Sequence, residues 1–195
     1  MIRRDKPVTT NQAPSLCAWR RQLVSRRRFL IQAAGGSVAL LFAPRRAPGA
    51  ANPDPWPTLD AVLQHLLPSE PDSPGALEIR ALDYLRFVTG DPWVDAQERE
   101  FILQGSRWLD DLSQQHHAKA ASSLDDAQME QLLREIVRTG AGENWVSTLL
   151  TYLFEALLSA PAYGGNPQGV GWRWLQYVPG FPLPGSGTRY SELPL

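Results

Sequence analysis

The chain has 195 residues, 43 % hydrophobic and 20 % charged, which is ordinary usage for one globular domain with a sizeable core. Its formal charge of −1 conceals two parts of opposite sign: residues 1–51 hold ten Lys and Arg against Asp5 alone, a net +9, and residues 52–195 hold nine against nineteen Asp and Glu, a net −10. An acidic body is repelled by phosphate, which argues against nucleic acid and anionic lipid as partners, and Cys17 as the single cysteine leaves residues 52–195 without a disulfide, thiolate nucleophile, iron–sulfur ligand or covalent haem motif.

The basic part reads as a targeting segment, residues 1–51. Ser25-Arg26-Arg27-Arg28-Phe29-Leu30 fits the twin-arginine export pattern of a small polar residue, two arginines, any residue, Phe and Leu. The apolar stretch Phe29 to Phe42 follows, fourteen residues softened by Gln32, Gly35, Gly36 and Ser37. At 1.5 Å per residue it covers about 21 Å, short of a hydrocarbon core of about 30 Å, so it suits a signal and not a stable membrane span. Arg45 and Arg46 and the small-residue run Ala47 to Ala51 complete the pattern, with cleavage expected after Gly49 or Ala51. The twin-arginine route carries folded cargo, usually proteins that load a cofactor first. Yet the rest of the chain has no Gly-rich dinucleotide fingerprint and no phosphate loop.

Residues 52–195 form the second unit, and helical periodicity dominates it. Thr58 to Leu67 places Leu59, Val62, Leu63, Leu66 and Leu67 on one stripe, with Thr58 as the expected N-cap and Pro68 as the stop. Gly75 to Thr89 turns Ile79, Leu82, Leu85 and Val88 inward and ends at Gly90. Asp91-Pro92 reads as a cap and first helical residue of a stretch to about Lys119, burying Val94, Phe101, Ile102, Trp108, Leu109 and Leu112. Gly105 marks a break or a close packing point. Asp125 or Asp126 caps a fourth helix through Met129, Leu132, Leu133, Ile136 and Val137, ending at Thr139-Gly140. The fifth, Glu143 to Ser159, is apolar around most of its circumference and is expected at the centre. No segment alternates with a period of two, so the fold class is all-α: a bundle of about five helices.

From about residue 160 the character changes to loop: six prolines and seven glycines fall in the last 36 residues, beside Tyr163, Trp172, Trp174, Tyr177, Phe181 and Tyr190. Disordered tails are poor in aromatics, so this one is expected to be ordered, covering either its own bundle or a partner. Among polar clusters, His116 and His117 point about 100° apart on a helix and do not converge on one ion. The pairs Asp110-Asp111 and Asp125-Asp126 are more simply caps or solvated groups than an acid/base couple.

Ala160-Pro161-Ala162-Tyr163-Gly164-Gly165-Asn166, continuing to Gly169-Val170-Gly171-Trp172, resembles the gluconate 2-dehydrogenase subunit 3 family, as do Leu66-Leu67-Pro68 and Ser73-Pro74-Gly75-Ala76 earlier in the chain. Trp174 to Pro179 departs from the shorter approach usual there. The resemblance implies a non-catalytic small subunit in a three-part, inner-membrane-associated periplasmic complex. Its partners would be an FAD-containing flavoprotein of the glucose-methanol-choline type, which is the catalytic subunit, and a multihaem cytochrome c. The small subunit would assist maturation and export of the flavoprotein through the twin-arginine machinery, and the complex would oxidise a sugar or sugar acid. No cofactor is expected in this chain; FAD and haem c belong to the partners.

Gly164 and Gly165 permit positive φ and Asn166 tolerates it, so the motif can reverse the chain after the last long helix. Two roles follow for Tyr163, Gly164, Gly165, Asn166 and Trp172: returning the tail onto the bundle, or presenting a surface to the flavoprotein. A free-standing periplasmic helical binding protein and an autonomous exported enzyme are the alternatives to a subunit. The subunit reading predicts that the purified chain alone shows no visible absorption; stoichiometric flavin or haem in that preparation would contradict it.

Overall fold

The computed structural model describes residues 54–92, 94–185, 187–189 and 192; the targeting segment, including Ser25, Arg26, Arg27, Phe29 and Leu30, lies outside them. Among the described residues six α-helices succeed one another: α1 Trp56–Leu66, α2 Ala81–Gly90, α3 Ala96–His117, α4 Asp126–Ile136, α5 Gly140–Leu158 and the short α6 Val170–Trp174. Single 3-10 turns at Ala121–Ser123, Pro161–Tyr163 and Pro167–Gly169 join them. Among the described residues there is no strand, so the fold is all-α, and no helix is long and apolar enough to cross a membrane.

The helix ends show where local rules yield to tertiary partners. Thr58 is the third residue of α1 and not its cap, because Pro55 and Pro57 set up the first turn two residues earlier. Its hydroxyl instead donates to the buried Asp110 Oδ1 at 2.9 Å, which also accepts from the Ala121 backbone N–H at 3.0 Å. One carboxylate thus ties α1, α3 and the following turn together, and that explains an acid buried in the interior of a helix. The period from Gly75 is broken at Arg80, whose φ of 52° lies in the left-handed region, so α2 begins only at Ala81. Asp95, not Asp91, caps α3, accepting from the Gln97 N–H at 2.7 Å. Asp125 caps α4 in a reciprocal capping box with Gln128, as its position predicts. Thr139 caps α5 through the Gly142 N–H, so Thr139-Gly140 opens that helix in addition to following α4.

Helix α5 lies at the centre, in contact with α1, α2, α3 and α6. Its Trp145 is fully buried, and the indole N–H donates to the Ile102 carbonyl at 3.0 Å. That approach is possible only because α3 carries Gly105 beneath the ring: a Cβ there would stand 2.2 Å from the indole. Around this contact pack Leu59, Val62 and Leu63 of α1, Leu85 of α2, Leu109 of α3, Leu132 and Ile136 of α4, and Leu149 of α5. Each of these large side chains contributes about 1.5–3 kcal/mol on burial. Gly105→Ala is therefore expected to destabilise the domain by about 1–3 kcal/mol through overpacking, despite the better helix propensity of alanine. The midpoint of thermal unfolding should fall by about 5 °C; a rise would show that the close approach is not a constraint.

Candidate partner interface

After α5 the chain runs through Pro161–Tyr163 into a sharp reversal. Gly164 has φ 93° and Asn166 φ 49°, the left-handed region that favours residues without a branched Cβ. Gly165 lies against the Ala156 carbonyl, where a Cβ would come within 2.9 Å. Asn166 is fully buried. Its backbone N–H donates to the Ile79 carbonyl at 2.8 Å, its Nδ2 donates to the Ser159 carbonyl at 2.9 Å, and its Oδ1 accepts from the Gly171 N–H at 2.7 Å. One side chain and its backbone thus hold three segments: the approach to α2, the end of α5 and the start of α6. Trp172, also buried, completes the arrangement by donating its indole N–H to the Leu158 carbonyl at 2.7 Å. Two carbonyls at the C-terminal end of α5, orphaned by helix geometry, are thereby satisfied by Asn166 and Trp172. Gly171 is required for this packing, since a Cβ there would meet the Leu157 carbonyl at 2.3 Å.

Of the two roles open to the motif, the first describes what these residues do in the folded chain. Asn166 and Trp172 face the chain's own interior, and Tyr163 is half-buried with its ring edge-on to Phe87 of α2 at 5.8 Å. The residues that do face outward come just after them. Helix α6 ends in a left-handed Gln176, with Tyr177 N–H donating to the Trp172 carbonyl and Gln176 N–H to the Arg173 carbonyl. Tyr177 packs its ring 6.3 Å from that of Trp172 and remains half exposed. Beyond it Val178 is 81 % and Phe181 82 % exposed, and Trp174, Leu175 and Leu183 are exposed as well. The segment is held again at Arg189, whose guanidinium sits 5.5 Å over the Phe87 ring. No charged residue occurs from 174 to 188.

The same surface continues onto α5. Phe154 and Leu158, four residues apart and so on one helical face, are both exposed, with Thr151 and Ser147 farther along that face. Because Trp172 bonds the Leu158 carbonyl, the apolar end of α5 and the start of the tail adjoin. An apolar, uncharged surface on a body of net charge −10 is the kind of patch that marks a protein contact. The outward position of Val178 has no signal in helical periodicity, whereas Phe181 is one of the tail aromatics expected to cover the bundle or a partner. Elsewhere, Tyr84 donates its hydroxyl to Glu155 at 3.2 Å, and burial foremost, with that carboxylate beside it, pushes its pKa well above the usual tyrosine value. Among the described residues no three His, Cys, Asp or Glu are grouped to hold a metal.

Two substitutions separate the inward and outward sides. Asn166→Ala removes the partner of the half-buried Ser159 carbonyl and of the buried Gly171 N–H and should cost about 3 kcal/mol, lowering the unfolding midpoint by about 10 °C. Val178→Ser with Phe181→Ser should leave the midpoint within about 2 °C of the parent, as exposed side chains do. The reverse ranking in a thermal melt would refute this division.

The family comparison agrees with the motif. The family model described as gluconate 2-dehydrogenase subunit 3 matches residues 53–180, about two thirds of the chain, from the start of α1 through Val178 and into the exposed tail. No curated protein and no solved structure matches it. With the Tyr-Gly-Gly-Asn reversal, its downstream Trp and the all-α bundle in place, the chain belongs to the gluconate 2-dehydrogenase subunit 3 family.

Proposed function

We propose that this chain is the non-catalytic small subunit of an FAD-dependent sugar or sugar-acid dehydrogenase, and that it grips the catalytic flavoprotein through the surface formed by Phe154, Leu158 and residues 174–183. The observation that carries this reading is the two-sidedness of the C-terminal segment. Its inward residues are consumed in fixing the tail to α2 and α5, and the tail so fixed holds Val178 and Phe181 out in water. Fixing an apolar loop outward lowers the ordering entropy that a partner contact would otherwise incur. Family membership supplies the kind of partner, since a subunit of a dehydrogenase has other subunits to contact. One member of each acid pair that an autonomous enzyme would use is occupied otherwise: Asp110 bridges Thr58 and Ala121, and Asp125 caps α4.

The export reading attaches to the same contact. A route for folded cargo on a chain without a recognisable cofactor loop is accounted for if the flavoprotein loads FAD in the cytoplasm, binds this chain and crosses with it to the periplasm. There a multihaem cytochrome c would accept the electrons and hold the assembly at the inner membrane. Arg26→Lys with Arg27→Lys keeps the charge but removes the planar multidentate fork, so recognition by the translocation machinery should fail. Cell fractionation should find both this chain and the flavoprotein retained in the cytoplasm; a flavoprotein that still reaches the periplasm at normal yield would refute the escort. Val178→Asp with Phe181→Asp should reduce co-purification of the flavoprotein at least tenfold while leaving the helicity of this chain unchanged, since burying two unpaired charges at a contact is costly. Undiminished co-purification would overturn the proposed surface.

A further inference from the structure

An open groove of about 840 Å³ runs between α1, the Pro68-Ser69 turn, the Ala121–Ser123 turn and the start of α4. Its lining combines apolar Ala61, Leu67, Leu124 and Met129 with the carboxylates of Asp60 and Asp126. A nearby acid already shows what the region attracts. Glu130 lies 2.8 Å from His65 Nε2 and 2.5 Å from the guanidinium of Arg134, and hydrogen bonding to His65 first and Arg134 second holds its carboxyl below the usual value. Among the described residues, Asp60 and Asp126 have no hydrogen-bonded or ion-paired side-chain partner.

A ligand that suits this lining is cationic and partly apolar, and one such ligand is tethered at its edge. Pro57 lines the groove only three residues after Asp54, where the described chain begins, so a tether from residues 1–53 starts at its edge. Those residues hold the net +9 that opposes the net −10 of the body, concentrated in Arg20, Arg21 and the run Arg26-Arg27-Arg28, with Phe29 and Leu30 directly after. The 26 residues from Arg28 to Asp54 span about 28 Å as a flexible coil and up to about 86 Å fully extended, so the tether permits the contact. Tethering also gives the segment an effective concentration of about millimolar, enough for ion pairs that would be weak between separate molecules.

We infer that this groove seats the arginine segment of its own chain, residues 20–30, with guanidinium groups on Asp60 and Asp126 and the Phe29-Leu30 pair against the apolar lining. Planar guanidinium forks suit paired carboxylate oxygens, and the contact weakens as salt screens it. While seated, the arginines are withheld from any other receptor, so a chain that has folded alone offers its signal less readily than one whose segment has been displaced. The seating is independent of the surface at residues 174–183, and either can fail without the other.

Limited trypsin digestion of the full-length protein at low salt tests it, read as the rate of cleavage after Arg26, Arg27 and Arg28. Cleavage of the parent should be about fivefold slower than that of Asp60→Asn with Asp126→Asn, and the parent should lose its protection at high salt. Asp83→Asn with Glu143→Gln, which removes the same charge from exposed positions on α2 and α5, should leave the protection intact. Equal rates for parent and groove variant, or equal loss in the control variant, would overturn the inference. Protection that fades on dilution would also overturn it, by assigning the groove to the segment of a second copy.

Discussion

The buried amide of Asn166 is the contact on which the arrangement of α2, α5, α6 and the C-terminal tail depends. Itself fully buried, this residue meets a carbonyl before α2, a carbonyl at the end of α5 and an N–H at the start of α6. The Gly171 N–H would otherwise be a buried donor with no partner, and the same amide reaches the Ser159 carbonyl, so the three segments are coupled. Asparagine suits the place: its side chain donates and accepts at once, and it tolerates the left-handed backbone that the reversal requires. The glycines around it follow from the same geometry, because Gly165 and Gly171 let the chain lie against α5 closely enough for the amide and the Trp172 indole to reach their carbonyls.

This coupling explains how a Gly- and Pro-rich tail can be an ordered surface. Such a segment loses much conformational entropy on ordering and gains little from local structure. Here the cost is offset at its two ends, by the Trp172 anchor with Tyr177 against it and by Arg189 over Phe87. The residues between are left to present apolar side chains outward. The bundle core under Trp145 and Gly105 has a different task, holding α5 rigid so that its outer face and the tail form one surface.

The fold class was legible in the sequence because amphipathic period and caps such as Asp125 act over a few residues, and the five long helices came with most of their buried stripes. What could not be read was the choice of distant partner. Thr58 has the chemistry of a cap, yet its hydroxyl is claimed by Asp110, 52 residues away. Arg80 adopts a conformation that its residue type does not announce, and the short helix α6 forms in a glycine-rich stretch because Asn166 and Trp172 anchor it. The Tyr-Gly-Gly-Asn motif was recognisable as a reversal, but whether its side chains face the bundle or a partner depends on contacts with Ile79 and Ser159 that no local pattern encodes. Its neighbours Val178, without any motif, and Phe181, one of the tail aromatics, emerge as the exposed side.

The most direct test of the account is hydrogen–deuterium exchange of this chain alone and in complex with the flavoprotein. The account predicts that amides around 154–158 and 174–183 gain the largest protection on assembly, while those around Asn166 are protected in both states. Protection gained chiefly elsewhere, with the 174–183 segment exchanging as fast in the complex as in the free chain, would contradict it.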